Sequence, residues 1–113
     1  MSIDLFAGIP VTDYAAAREW YERLFDAPPA FFPNDTEAVW EVAEHRFVYI
    51  VQRTADAGHS VLLLFVEDLE ARVAQIARRG IVPFLDETYE NGVRKITYRD
   101  LDGNELSFGG ALA

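Results

Sequence analysis

The sequence predicts an α+β fold of two βαβββ modules, each a cupped mixed sheet with one helix packed outside it. Two observations carry this. The order strand, helix, three strands occurs twice along the chain, with only two stretches of helical periodicity. A shift of 55 positions also superposes Val11 on Val66, Asp13 on Asp68, Ala16 on Ala71, Tyr21 on Ile76 and Pro28 on Pro83, as an internal repeat does. The chain of 113 residues is near the common size of one domain, divided here into modules 1–55 and 56–113.

The elements follow in order. "SIDLFAGIPV" is an apolar strand leading to a cap at Thr12 or Asp13. Beyond it Tyr14, Ala17, Trp20, Tyr21, Leu24 and Phe25 fall at helical spacing. Pro28 and Pro29 follow Asp26 and stop the helix, because proline has no amide donor and clashes with the preceding turn. "AFF", "EAVWEVA" and "RFVYIVQR" are the next strands, with breaks at "PND" and "EHR". "HSVLLLFV" opens the second module, with Leu62, Leu64 and Val66 directed at the helices. Asp68 is the next cap, Leu69, Val73, Ile76 and Ala77 form one helical face, and Gly80 closes that helix. "VPFLDE", "GVRKITYR" and "ELSFGG" complete the module. The acidic stretch "DLDGNE", Asp100 to Glu105, does not have the spacing of a calcium loop and reads as a turn joining two strands.

Composition narrows the partners. Half of the residues are hydrophobic and 13% aromatic, enough to build a core, and the net charge of −9 is the wrong sign for nucleic-acid phosphates or an anionic membrane. No apolar run approaches the roughly 18 residues of a membrane span. The absence of cysteine excludes disulfides and thiolate chemistry and fits a cytoplasmic protein. The expected partner is a small molecule or another protein chain.

Three stretches, "VTDYAAAREWYERLFDAPP", "VEDLEARVAQIARRGIVP" and "YRDLDGNELSF", resemble the vicinal oxygen chelate superfamily, which holds glyoxalase I, extradiol dioxygenases, fosfomycin-resistance enzymes and bleomycin-resistance binding proteins. The resemblance implies paired modules, dimerisation, and either a metal enzyme or a metal-free binding protein. In the enzymes His, Gln and Glu side chains on inner strands hold a divalent cation. Carried over, those positions fall on Phe6, Val61 and Ser107, with the fourth on Gln52 or Tyr49, which lie on opposite strand faces. Phenylalanine and valine cannot coordinate, and a neutral hydroxyl is a poor ligand. The reading is therefore a metal-independent small-molecule binding protein, with no cofactor, working as a homodimer and taking an aromatic or cationic compound.

Phe6, Trp40, Phe47, Tyr49, Phe65, Ser107 and His59 are the ligand-binding candidates, because the strands carrying them line or adjoin the concavity and aromatic rings grip flat molecules. His59 joins this set if the strand of Val61 extends back to it. Tyr98 reads as core, Trp20 and Tyr21 as structural, and His45 as a turn residue. Two other readings stand beside this one. A glyoxalase-type lyase or isomerase, or a dioxygenase, would use a non-standard metal site of His59, Gln52 and a strand glutamate. An interaction module would have no small ligand.

Overall fold

A computed structural model describes residues 2–111. The elements are β1 (Leu5–Val11), α1 (Tyr14–Phe25), β2 (Phe31–Asn34), β3 (Glu37–Ala43), β4 (Arg46–Gln52), a 3₁₀ turn (Thr54–Asp56), β5 (Val61–Phe65), α2 (Leu69–Arg78), β6 (Leu85–Thr88), β7 (Val93–Arg99) and β8 (Glu105–Ala111). Two four-stranded sheets result, ordered β1-β4-β3-β2 and β5-β8-β7-β6. In each, the first strand runs parallel to the last and the remaining pairs are antiparallel. The second sheet thus repeats the first strand for strand in order and direction.

Local sequence accounts for most boundaries. Asp13 begins α1 with its backbone extended, so its carboxylate can accept the Ala16 amide at 3.1 Å. The chain leaves α1 through Asp26 in the left-handed region, just before the two prolines. Asp68 occupies the same place before α2 but does not cap it. Its ψ is 40° where Asp13 has 100°, and its carboxylate instead takes the Arg72 guanidinium at 3.3 Å. On α2, Leu69 and Ile76 are buried and Val73 packs partly against the core, while Ala77 faces solvent. The break expected at "PND" begins only at Asp35, two residues after Pro33, because β2 is an edge strand where proline need not donate to the ladder. Asn34 then closes the turn by accepting the Thr36 amide at 3.0 Å.

One core serves both modules. Ile9, Val48, Ile50 and Trp40 of the first sheet share it with Ile96, Tyr98, Leu106 and Phe108 of the second, with Tyr21, Leu24 and Ile76 from the helices between them. Burying each large side chain contributes about 1.5–3 kcal/mol. Trp40 spends its indole N–H on the Ala27 carbonyl at 2.9 Å, and its ring lies 5.7 Å from Phe25. Since both sheets turn their helix-side faces into this core, their other faces point away from it.

The modules are locked at one end by the "DLDGN" turn. Asn104, 1% exposed, donates to the Pro10 carbonyl at 2.8 Å and to the Asp100 carboxylate at 2.9 Å. Its Oδ1 accepts the amides of Gly58 and Ser60 at 3.0 and 3.1 Å. Asp100 holds the turn by accepting the amides of Asp102 and Asn104, and it accepts the Tyr21 hydroxyl of α1 at 2.8 Å. Asp102 receives the Thr12 amide at 3.1 Å. Arg79, after α2, also caps α1 by donating to the carbonyls of Arg23 and Leu24.

Burial first, then the negative charge and hydrogen bond of Asp100, push the Tyr21 phenol well above its ordinary value. A group whose folded pKa is raised contributes fully below its unfolded pKa and loses that contribution as pH rises beyond it. Stability should therefore decline above about pH 10, the ordinary tyrosine pKa. Tyr21→Phe should lose about 1–2 kcal/mol at neutral pH and flatten that alkaline slope, as urea unfolding at pH 7 and 10.5 would measure.

Candidate functional site

Strand register sorts the candidate residues by face. On the outer face of the first sheet, Phe6 stands beside Phe47 and Gly8 beside Tyr49, while Tyr49 faces Val39 and Phe47 faces Glu41 on β3. Phe6 and Phe47 stack with centroids 4.4 Å apart and planes 8° from parallel, and Phe31 meets Phe47 edge-on at 6.4 Å. Tyr49 lies across Gly8 so closely that a Cβ there would stand 2.6 Å from the phenol ring. Gly8 is thus the cradle that lets the ring lie over β1. Glu37 and Glu41 share this face, so it is aromatic and acidic.

The register also separates the two residues on which the fourth family position could fall. Tyr49 is on the outer face, whereas Gln52 pairs with Val11 on the opposite face and accepts the Tyr14 amide at the start of α1 at 3.1 Å. Gln52 therefore supports a helix and is removed from any outer-face ligand set.

On the outer face of the second sheet, Val61, Leu63 and Phe65 stand beside Glu105, Ser107 and Gly109. Val61 is 77% exposed and Phe65 63%. Ser107 is buried and shares a hydrogen bond of 2.8 Å with the Thr97 hydroxyl. A Cβ on Gly109 would come within 3.2 and 3.3 Å of Leu63 and Phe65, so this glycine lets both side chains lie flat across the sheet. Lys95 and Arg99 lie on this face, with Arg99 paired to Glu105 at 3.0 Å and seated 3.5 Å over the Phe84 ring.

The candidates accordingly divide. Phe6, Phe47 and Tyr49 come together on one outer face, and Phe65 and Ser107 on the other. Trp40 belongs to the helix side, 2% exposed in the core, because its strand parity opposes that of Val39 and Glu41. His59 is exposed in the loop before β5, which begins only at Val61, so the strand extension that would aim it at the concavity does not form. Leu62 and Leu64 pack against the core as their parity predicts. Gly8, Phe31, Leu63 and Thr97 were not singled out by sequence. The two-residue alternation counted from Phe6 and Val61 marks Gly8 and Leu63, but Phe31 and Thr97 join only through cross-strand register.

A cavity of about 930 Å³ lies where the sheets diverge, opposite the locked end. Ala7 and Val48 of the first sheet face Leu62, Leu64 and Phe108 of the second, with Trp40 among the lining side chains. Phe47 and Phe65 also border it. Among the described residues no three His, Cys, Asp or Glu side chains are grouped to hold a metal ion, and no helix is long and apolar enough to cross a membrane.

Comparison with known proteins places this geometry. No curated protein sequence matches the chain. A crystal structure of a glyoxalase/bleomycin resistance protein from Catenulispora acidiphila is 49% identical, with a TM-score of 0.94, covering 98% of this chain and 100% of that one. A bleomycin-binding protein complexed with bleomycin is 18% identical at a TM-score of 0.78, covering 98% and 100%. Lactoylglutathione lyase from Agrobacterium tumefaciens is 16% identical at 0.74, covering 97% and 94%. The last two show likeness of fold alone. The model of the Glyoxalase/Bleomycin resistance protein/Dioxygenase superfamily matches residues 2–108, and the chain belongs to that superfamily.

Proposed function

We propose that this protein binds a small, flat, cationic or aromatic molecule without using a metal, in the manner of the bleomycin-binding members of its superfamily. The observation that carries the reading is the stacked Phe6 and Phe47 pair, with Tyr49 beside it, on a face that also bears Glu37 and Glu41. Aromatic faces attract cations and carboxylates reinforce the preference. The four family metal positions support the metal-free half of the reading. Phe6, Tyr49, Val61 and Ser107 offer a benzyl, a phenol, an isopropyl and a hydroxyl already bonded to Thr97, a donor set that does not fit a divalent cation. The chain acts as one domain of two modules, in the cytoplasm.

The working form is a homodimer. Each chain turns two apolar faces outward, and exposed apolar patches of this kind mark interaction surfaces. Two-fold symmetry lets the acidic aromatic face of one copy lie over the face of its partner that carries Lys95 and Arg99, forming two identical pockets. Neither face alone encloses a ligand.

Titration calorimetry with ethidium, acridine orange and bleomycin tests this, on protein purified without chelator and assayed for bound metal. The expected result is saturable binding of at least one of these cations, unchanged by EDTA. The protein should contain no stoichiometric nickel, zinc, manganese or iron. Tightly held stoichiometric metal, or no binding by the entire set, would overturn it.

A further inference from the structure

The 930 Å³ cavity lies between the sheets, walled by their helix-side residues and adjoining the outer faces at Phe47, Leu63 and Phe65. Interiors of folded proteins contain few voids larger than a water molecule, and ligand pockets are commonly about 300–1,000 Å³. The shared core is tight near Asn104, where Ile9, Val11 and Leu106 are at most 1% exposed. At the other end it opens, where Leu5 of β1 is 62% exposed. The fold therefore leaves an apolar wedge unfilled.

The walls specify the occupant. Trp40 and Phe108, 2% and 1% exposed, back the inner end of the cavity, which suits a small molecule better than a strand of another chain. The Trp40 indole N–H is used by Ala27, and Ala7, Val42, Val48, Leu62 and Leu64 make alkyl walls. Charged side chains also line it, among them Arg46, Glu67 and Arg72, the last lying 5.4 Å over the Phe108 ring and paired with Asp68. Against the alkyl and phenyl walls a polar group would lose hydrogen bonds to water without replacement, whereas an apolar one displaces weakly held water. Smaller cavities of this lining, about 150 Å³, accept benzene. We infer that the wedge between the two sheets is a second binding site, adjoining the outer faces, that takes an uncharged aromatic or aliphatic molecule against its inner walls.

N-phenyl-1-naphthylamine, an uncharged fluorophore that brightens in apolar surroundings, is the probe. It should bind once per chain and quench tryptophan emission by energy transfer. Ala7→Phe and Leu64→Trp, which fill the wedge from opposite walls, should each weaken it at least ten-fold. Val61→Glu and Tyr49→Ala, on the outer faces, should leave it unchanged. Should the filled variants fail to fold, xenon pressurisation of crystals of the unaltered protein gives the same answer, with density expected between Ala7, Leu64 and Phe108. Probe binding abolished by Val61→Glu but indifferent to the filled variants, or xenon absent from the wedge, would overturn the inference. Because ethidium reports the outer faces and the naphthylamine the wedge, either site can fail without the other.

Discussion

Replacing Asn104 by alanine should lower the stability of the fold by about 3–5 kcal/mol, one of the largest losses any single side chain here can cause. The side chain makes four hydrogen bonds, to Pro10, Asp100, Gly58 and Ser60, and is 1% exposed. Each buried group stripped of its partner costs about 1–3 kcal/mol, less what an entering water recovers. For a domain of this size the melting temperature should fall by roughly 10–20 °C. Asp102→Ala removes only the contact to Thr12 and should cost under about 1 kcal/mol. Urea unfolding of both variants tests the assignment. A loss below about 1 kcal/mol for Asn104→Ala would mean that the lock between the modules lies elsewhere.

Complementation between two binding-deficient variants is the second large effect expected. Phe47→Ala removes half of the stacked pair on one face, and Leu63→Ala removes apolar surface beside Phe65 on the other. Each should weaken ethidium binding about ten-fold, the equivalent of about 1.4 kcal/mol. If each pocket combines one face from each protomer, a mixed dimer carries both substitutions in one pocket and neither in the other. Co-refolding an equal mixture should therefore restore full affinity in roughly a quarter of the pockets, since half of the dimers formed are mixed. No high-affinity fraction would mean that both faces of a pocket come from one chain, and a monomer by light scattering would remove the shared pocket altogether.

Both expectations depend on features with different visibility in the sequence. Strand and helix periods are local properties, so the two modules and most boundaries were readable from apolar spacing, capping residues and prolines. Asp13 and Asp68 show the limit of that reading. Both precede a helix, yet only the extended backbone of Asp13 places its carboxylate on a first-turn amide. Similarly, parity alone put Phe6, Phe65, Leu62 and Leu64 on their faces, but it left Tyr49 and Gln52 undecided. Pairing of β1 with β4 resolved that pair, setting Tyr49 beside Gly8 and sending Gln52 to α1.

The sequence by itself determined the repeated strand and helix order and the superfamily, because each follows from residue identity and short-range spacing. Only the tertiary structure decided that Trp40 is core, that His59 stays in a loop, that Tyr49 lies in the cradle of Gly8, and that "DLDGN" ties two modules together. Those outcomes rest on contacts between residues far apart in the chain, such as Asn104 with Pro10 and Gly8 with Tyr49. Local periodicity carries no information about which distant strand will supply the neighbour.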